Sequence, residues 1–243
     1  MHGIIVRPLV FAAGFAVVGG SPPALQDVPI VAVTSIELPD WEAIQPERAQ
    51  LAASARKAFD SSVVAAFDSL IAARLTRAGL RVVSGTQVNV IWRRLVDSVQ
   101  GFYDPLTGEL VEAEYFAVVT GTARELRARH GAVRWLRPTI APVEVVFDKG
   151  KAEWHGVTER IGGRHSGRGA ALSVVIEVLD STGRALTSSR GGLRLLFRVD
   201  VNGRSSPVAW NILYGDPKRN DKAVALALDP LIAGLGGHGT ERR

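Results

Sequence analysis

The alternation of apolar and polar residues changes period twice along the chain, and the changes divide it into segments. Asp27 to Ile36 (DVPIVAVTSI) is a β-branched apolar run bounded by prolines, which predicts a buried strand. From Pro46 to Ala78 the chain is rich in Ala, Leu and Arg, with Phe67, Leu70, Ile71 and Leu75 at helical spacing; a helix is predicted, stopped by Gly79. Leu80 to Val83 predicts a second strand. Another helix is predicted from Thr86 to Val99, with Val88, Ile91, Trp92, Leu95 and Val99 on one face, and a third from Glu112 to His130 after the turn-rich loop 101–108. Arg124, Arg127, Arg129 and His130 sit at the end of that third helix, where cations favour the negative end of the helix dipole.

From Arg134 the period becomes two. Trp135 to Phe147 and Ala152 to Ile161 flank Asp148-Lys149-Gly150-Lys151, a short connection predicting a hairpin with glycine at positive φ. Ala170 to Leu179 and Arg184 to Arg190 flank Asp180-Ser181-Thr182-Gly183, a second hairpin, and Leu193 to Val199 adds a strand after Gly191-Gly192. Helical spacing returns from Asp221 to Leu235, with Pro230 expected to bend or shorten that helix. The pattern predicts a mixed α/β fold: an N-terminal strand-helix-strand unit and further helices packed on a largely antiparallel meander, closed by a C-terminal helix. Residues 27–235 are expected to form one domain and 236–243 a loose tail.

The first twenty residues fit none of these elements. Arg7 precedes an apolar run from Leu9 to Val18, followed by Gly19-Gly20-Ser21-Pro22-Pro23; basic, apolar, small is the order of a secretory signal. Cleavage before Ser21 is expected, leaving 21–26 as a linker; retention of residues 1–20 as an N-terminal anchor is the alternative. The run is shorter than the roughly 20 apolar residues of a membrane span, so no transmembrane segment is expected after cleavage. The 243 residues contain no cysteine, which excludes disulfides, thiolate metal sites, cysteine nucleophiles and a lipid anchor of the bacterial type. Export without cysteine points to a bacterial periplasm.

Composition narrows the activity mainly by exclusion. A formal charge of +5, falling to +4 without Arg7, is mild, and the 24 arginines are scattered among acids with no aromatic and basic repeat, so no nucleic-acid partner is expected. The five tryptophans, Trp41, Trp92, Trp135, Trp154 and Trp210, are read as core or rim packing. Ser166 lies in Gly163-Arg164-His165-Ser166-Gly167, where the first glycine is out of register for a nucleophile elbow. Gly234-Leu235-Gly236-Gly237-His238-Gly239 spells a dinucleotide fingerprint but opens no helix after a strand. Asp148, Glu153, His155, Glu159 and His165 form the only cluster of acids and histidines, and Glu153 and His155 would share a face of a strand; solvent-facing alternation is the favoured reading. No catalytic residue, metal or cofactor is assigned. Arg164, His165 and Arg168, in the glycine-rich Gly162 to Gly169, are the candidate anion-binding residues, through guanidinium groups and glycine amides; an insertion-tolerant surface connection accounts for the same composition.

The order of elements resembles the bacterial envelope family of the curli-assembly component CsgG and the N-terminal domain of TolB. The matching pieces are Ile30-Val31-Ala32-Val33, Phe67 to Val83 (FDSLIAARLTRAGLRVV), His130 to Ile140 (HGAVRWLRPTI) and the pair from Leu172 to Leu195 with Asp180-Ser181-Thr182-Gly183-Arg184 at its turn. The lipid-anchor cysteine and the long amphipathic hairpins of the curli protein are absent from this sequence. The resemblance implies a periplasmic α/β module that binds other envelope components, with no catalytic residues to carry over; separately, an exposed edge of the meander could pair with a second copy in a homo-oligomer. A periplasmic hydrolase or metal-dependent enzyme working through the His155 and His165 region is the alternative.

Overall fold

The computed structural model describes residues 28–40, 53–99, 101–104, 107–161, 164–200 and 202–235. The expected signal segment, linker, helix start at Pro46 and tail lie outside them, as does Gly162-Gly163. The elements run β1 (Ile30–Val33), α1 (Ala53–Arg77), β2 (Arg81–Val83), α2 (Gly85–Val96), α3 (Glu112–His130), β3 (Arg134–Asp148), β4 (Lys151–Trp154), β5 (Val157–Arg160), β6 (Gly167–Asp180), β7 (Ala185–Leu195), β8 (Phe197–Val199), β9 (Ser205–Pro207), α4 (Trp210–Leu213) and α5 (Pro217–Leu235). The mixed α/β architecture is as expected.

The strand pairing departs from a simple meander. β3 is the axis of a seven-stranded sheet: β1 lies parallel to its first residues, β6 antiparallel along nearly its whole length from Arg134↔Asp180 to Phe147↔Gly167, and β4 antiparallel only at Phe147 and Asp148. The hairpin expected between Trp135–Phe147 and Ala152–Ile161 is therefore two residue pairs deep. A second turn causes this, because His155 and Gly156 both take positive φ (38° and 78°) and fold Ala152–Ile161 into β4 and β5. Two consecutive positive φ values are the type I′ geometry that suits the twist of a hairpin. The expected turn at Lys149-Gly150 has the same signature, with φ of 48° and 77°. The expected break at Gly191-Gly192 is absent; β7 runs through both glycines to Leu195, with a register shift at Ser173, and Phe197–Val199 pairs instead with Ser205–Pro207.

Period two gives β3 two apolar faces. Leu136 and Ile140 join Leu172, Val174, Ile176 and Val178 of β6 beneath α1 and α5, which contribute Phe67, Ile71, Leu75, Val224, Leu228 and Leu231. Arg74 ties these helices together through Asp221 (2.9 Å) and Asp229 (3.2 Å). α5 runs through Pro230 to Leu235. On the opposite face Trp135 and Leu179 pack under α2 and α3, while Val145, Phe147 and Ala171 pack at the other end with Ala152 and Trp154 of β4. That second face thus carries two apolar clusters with a more polar strip between them.

Candidate functional site

The three candidate anion-binding residues sit apart. Arg168 pairs with Glu144 of the neighbouring strand at 3.0 Å, both well exposed. His165 lies against the β8–β9 turn, where a Cβ on Gly203 would stand 3.0 Å from its ring, and Arg164 is exposed. Ser166 accepts the Lys149 N–H (3.2 Å) and donates to Asp148 (2.5 Å), so the segment is fastened to the β3–β4 turn rather than wrapped around a shared centre.

The acids and histidines also separate. Glu153 is ion-paired with Lys151 and Glu159 with Arg219. The positive φ at His155 ends β4 at Trp154, so Glu153 and His155 do not share a strand face as expected. Among the described residues no three His, Cys, Asp or Glu side chains gather closely enough to hold a metal ion.

His155 instead turns into the polar strip, its Nδ1 2.8 Å from the Oγ of Ser173 on β6. Ser173 is fully buried, which denies a substrate carbonyl access to its hydroxyl. Burial, and secondarily the charge of Arg190, hold the imidazole below its ordinary pKa. A depressed histidine pKa stabilises the fold above the unfolded value and loses that contribution as pH falls through about 6.5 towards the folded value. Stability is expected to drop on acidification across that window, and His155→Asn, which tolerates the left-handed backbone, is expected to flatten the drop. Urea melts at a series of pH values check this; parallel pH profiles for both proteins would count against it.

The other half of the strip is built around Arg137. Its alternation with Leu136 and Pro138 puts it on the second face of β3, directly opposite Glu177 of β6, whose carboxylate lies 3.7 Å from its Nη1. Nη1 also donates to the Tyr115 hydroxyl at 2.6 Å, and the guanidinium carbon stands 5.8 Å from the ring centres of Trp92, Tyr115 and Trp135, within cation–π range of all three. The aromatic array continues from Trp92 through Phe102 and Tyr115 to Phe116 at 5.6–5.9 Å spacings.

Helix α3 is placed by its ends. Glu112 and Glu114 complement its N-terminus, and Gly131 closes it at φ 70° with its N–H on the Arg127 carbonyl. The β6–β7 turn tucks against the same helix: a Cβ on Gly183 would lie 3.1 Å from Thr120 Cα, and Arg127 donates to Ser181 at 3.0 Å. Between turn and helix runs a groove of about 380 Å³, with Tyr115, Phe116 and Val119 as one wall and Arg137 and Glu177 beneath. Phe116 is 58% exposed. Ala185 of β7 lines the same groove, and over Ala185–Arg190 the only strand partner of β7 among the described residues is β6. Its outer edge there presents backbone donors and acceptors without a neighbouring strand.

The sequence points to an exposed meander edge that could pair with a second copy, without saying that β7 supplies it, and it does not single out Arg137. An arginine alternating with apolar residues is the ordinary look of a solvated strand face, and nothing local says that a helix 22 residues earlier brings a tyrosine to it. Of the tryptophans, Trp135 and Trp154 are buried and Trp92 is partly buried, as packing residues should be; the side chains of Trp41 and Trp210 lie outside the described residues.

No family model matches the chain, and the resemblance to CsgG and TolB is not shown. No curated protein matches it. Among solved structures, the crystal structure of lipoprotein GNA1162 from Neisseria meningitidis aligns over 76% of this chain and 90% of its own, at 16% identity and a TM-score of 0.30. That score is too low for the likeness to bear on fold or function.

Proposed function

We propose that this protein is exported to the bacterial periplasm and acts there, without catalysis, as a binding or assembly factor of the cell envelope. It takes up an extended segment of another envelope protein, or of its own copy, along the outer edge of β7. The unpartnered edge of Ala185–Arg190 beside the aromatic groove carries this reading. Strand addition draws affinity from main-chain hydrogen bonds and specificity from adjacent side-chain pockets, and here both elements are side by side. Leu186 is 48% exposed on this edge, and Arg190 at its end is the one charged residue of the stretch. Export is supported by the basic, apolar, small order of residues 1–20. The fully buried Ser173 beside His155 weighs against the hydrolase alternative.

Expression of the full chain in a Gram-negative host is expected to yield a periplasmic product beginning at Ser21. A photo-crosslinker at Ser188 is expected to trap a defined envelope protein or a dimer, and Leu186→Lys to reduce that adduct severalfold without lowering the melting temperature. Cytoplasmic retention with residues 1–20 attached would remove the first premise, and an adduct indifferent to Leu186→Lys the second.

A further inference from the structure

At the far end of β7 from that edge, the chain builds a pocket of about 480 Å³ between β5, β8 and the start of α5. Its charged lining is Arg160, Arg194, Arg198 and Arg219 against Glu159 and Asp216. The two carboxylates are already engaged. Arg219 is ion-paired with Glu159, and its Nε lies 3.4 Å from Asp216, which also accepts the N–H groups of Lys218 and Arg219 at the start of α5. Arg160, Arg194 and Arg198 have no carboxylate within ion-pair distance among the described residues.

Arg194 is the unusual member. It is only 9% exposed, on the face of β7 that packs against the helices. Its Nη1 donates to the Ile212 carbonyl at 2.8 Å, but its Nε is buried with no partner. A guanidinium offers five donors in a planar fork suited to two oxygens of one anion, and a buried donor without an acceptor costs the full desolvation of that group. Burial and the like charge of Arg219 both disfavour its charged form, and an anion in the pocket would reverse that penalty. Ile161, Phe197 and Val208 supply an apolar wall that keeps the pocket from being a purely solvated charge patch.

We propose that this pocket binds a phosphoryl group, with Arg194 holding two of its oxygens from below and Arg160 and Arg198 closing from the rim. The lining charge, positive by two, complements a phosphate dianion better than a single carboxylate. The site is separate from the β7 edge and the Arg137 groove, and it stands whether or not β7 takes up a strand.

The test is calorimetric titration of the purified protein with inorganic phosphate, alongside flotation with phosphatidylglycerol vesicles. Saturable binding of phosphate is expected at one site, weakened about tenfold or more in Arg194→Met and severalfold in Arg198→Gln. The methionine variant is expected to keep the wild-type melting temperature in phosphate-free buffer, because it removes a buried charge that lacks a counter-ion. Arg198 is exposed, so its variant carries the test if the buried replacement fails to fold. Vesicle binding that phosphate competes away assigns a lipid headgroup as the source, and phosphate binding without flotation assigns a soluble ester. Absence of saturable binding in both arms, or affinities unchanged in Arg198→Gln and Arg194→Met, would overturn the site.

Discussion

Gly191→Ala is expected to destabilise the protein by about 3 kcal/mol or more, the upper part of the range for overpacking a close contact. Gly191 is not at a positive φ, so the cost is one of space. A Cβ at this position would lie 2.0 Å from the carbonyl oxygen of Ala223 and 2.9 Å from the nitrogen of Ala227, both backbone atoms of α5. A flexible side chain could swing aside, but helix backbone moves only with its neighbours, and Ala223, Val224, Ala227 and Leu228 are all fully buried. The helix must retreat from the sheet and lose contact with Phe67, Ile71 and the apolar face of β6 in the same cluster. For a chain of this length the change corresponds to a fall of roughly 6–12 °C in melting temperature. Gly234→Ala is the control, since nothing lies within 4 Å of its added Cβ and alanine is the better helix former. Thermal and urea melts of the two variants should separate them in opposite directions; a Gly191→Ala protein as stable as wild type would mean that α5 does not lie this close to β7.

The second large effect is expected at Trp135, on the other face of the sheet. Its side chain is 2% exposed, its Nε1 donates to the Thr34 hydroxyl at 2.7 Å, and its ring meets Trp92 at 6.0 Å. Trp135→Ala opens a cavity beneath α2 and α3 and leaves Thr34 without its donor, a combined cost of about 4 kcal/mol. Trp135→Phe keeps most of the volume and is expected to cost less than half of that. Because the same ring lies 5.8 Å from the Arg137 guanidinium, the alanine variant is also expected to loosen the groove wall, seen as faster amide exchange in α3 relative to α5. A loss below about 1 kcal/mol would show that the cluster under α2 and α3 repacks freely.

Much of the local structure can be traced to single residues. Gly79 and Gly131 end α1 and α3 in the left-handed conformation that glycine adopts without steric cost, at φ of 81° and 70°. Lys149-Gly150 reads as a turn because glycine stands where a positive φ is needed. His155-Gly156 has the same geometry yet reads as part of a strand, since its flanks alternate and a histidine at φ 38° has no compositional signature. The double glycine at 191–192 misled in the reverse sense. Those residues are small so that α5 can approach Gly191 and the His155–Gly156 turn can approach Gly192, whose N–H reaches the His155 carbonyl at 2.9 Å. Glycine in a strand signals close approach as often as it signals a break.

Pro138 and Pro142 sit in the middle of a strand that pairs on both sides, a place where proline is unexpected. β1 ends at Val33, level with Leu136, and beyond it, among the described residues, the chain returns as a single bridge, with Glu37 N–H on the Pro138 carbonyl and Ile140 N–H on the Glu37 carbonyl. No ladder bond is asked of either proline nitrogen on that edge.

The main helices and strands, the glycine stops of α1 and α3 and the apolar side of each element are legible in the residues themselves, because backbone period and glycine or proline sterics act over a few residues. That β3 takes β6 rather than β4 as its long partner, that Tyr115 and Glu177 meet at Arg137, and that Arg194 ends buried beside Arg219 are outcomes of packing across the whole fold. These are pairings between residues 20 to 46 positions apart, reached by packing apolar faces against one another. A charged residue in an alternating strand has the same local pattern whether its tip ends in water, in an aromatic groove or in a pocket of other arginines, so the chemistry of this protein is set by which surfaces its cores bring together.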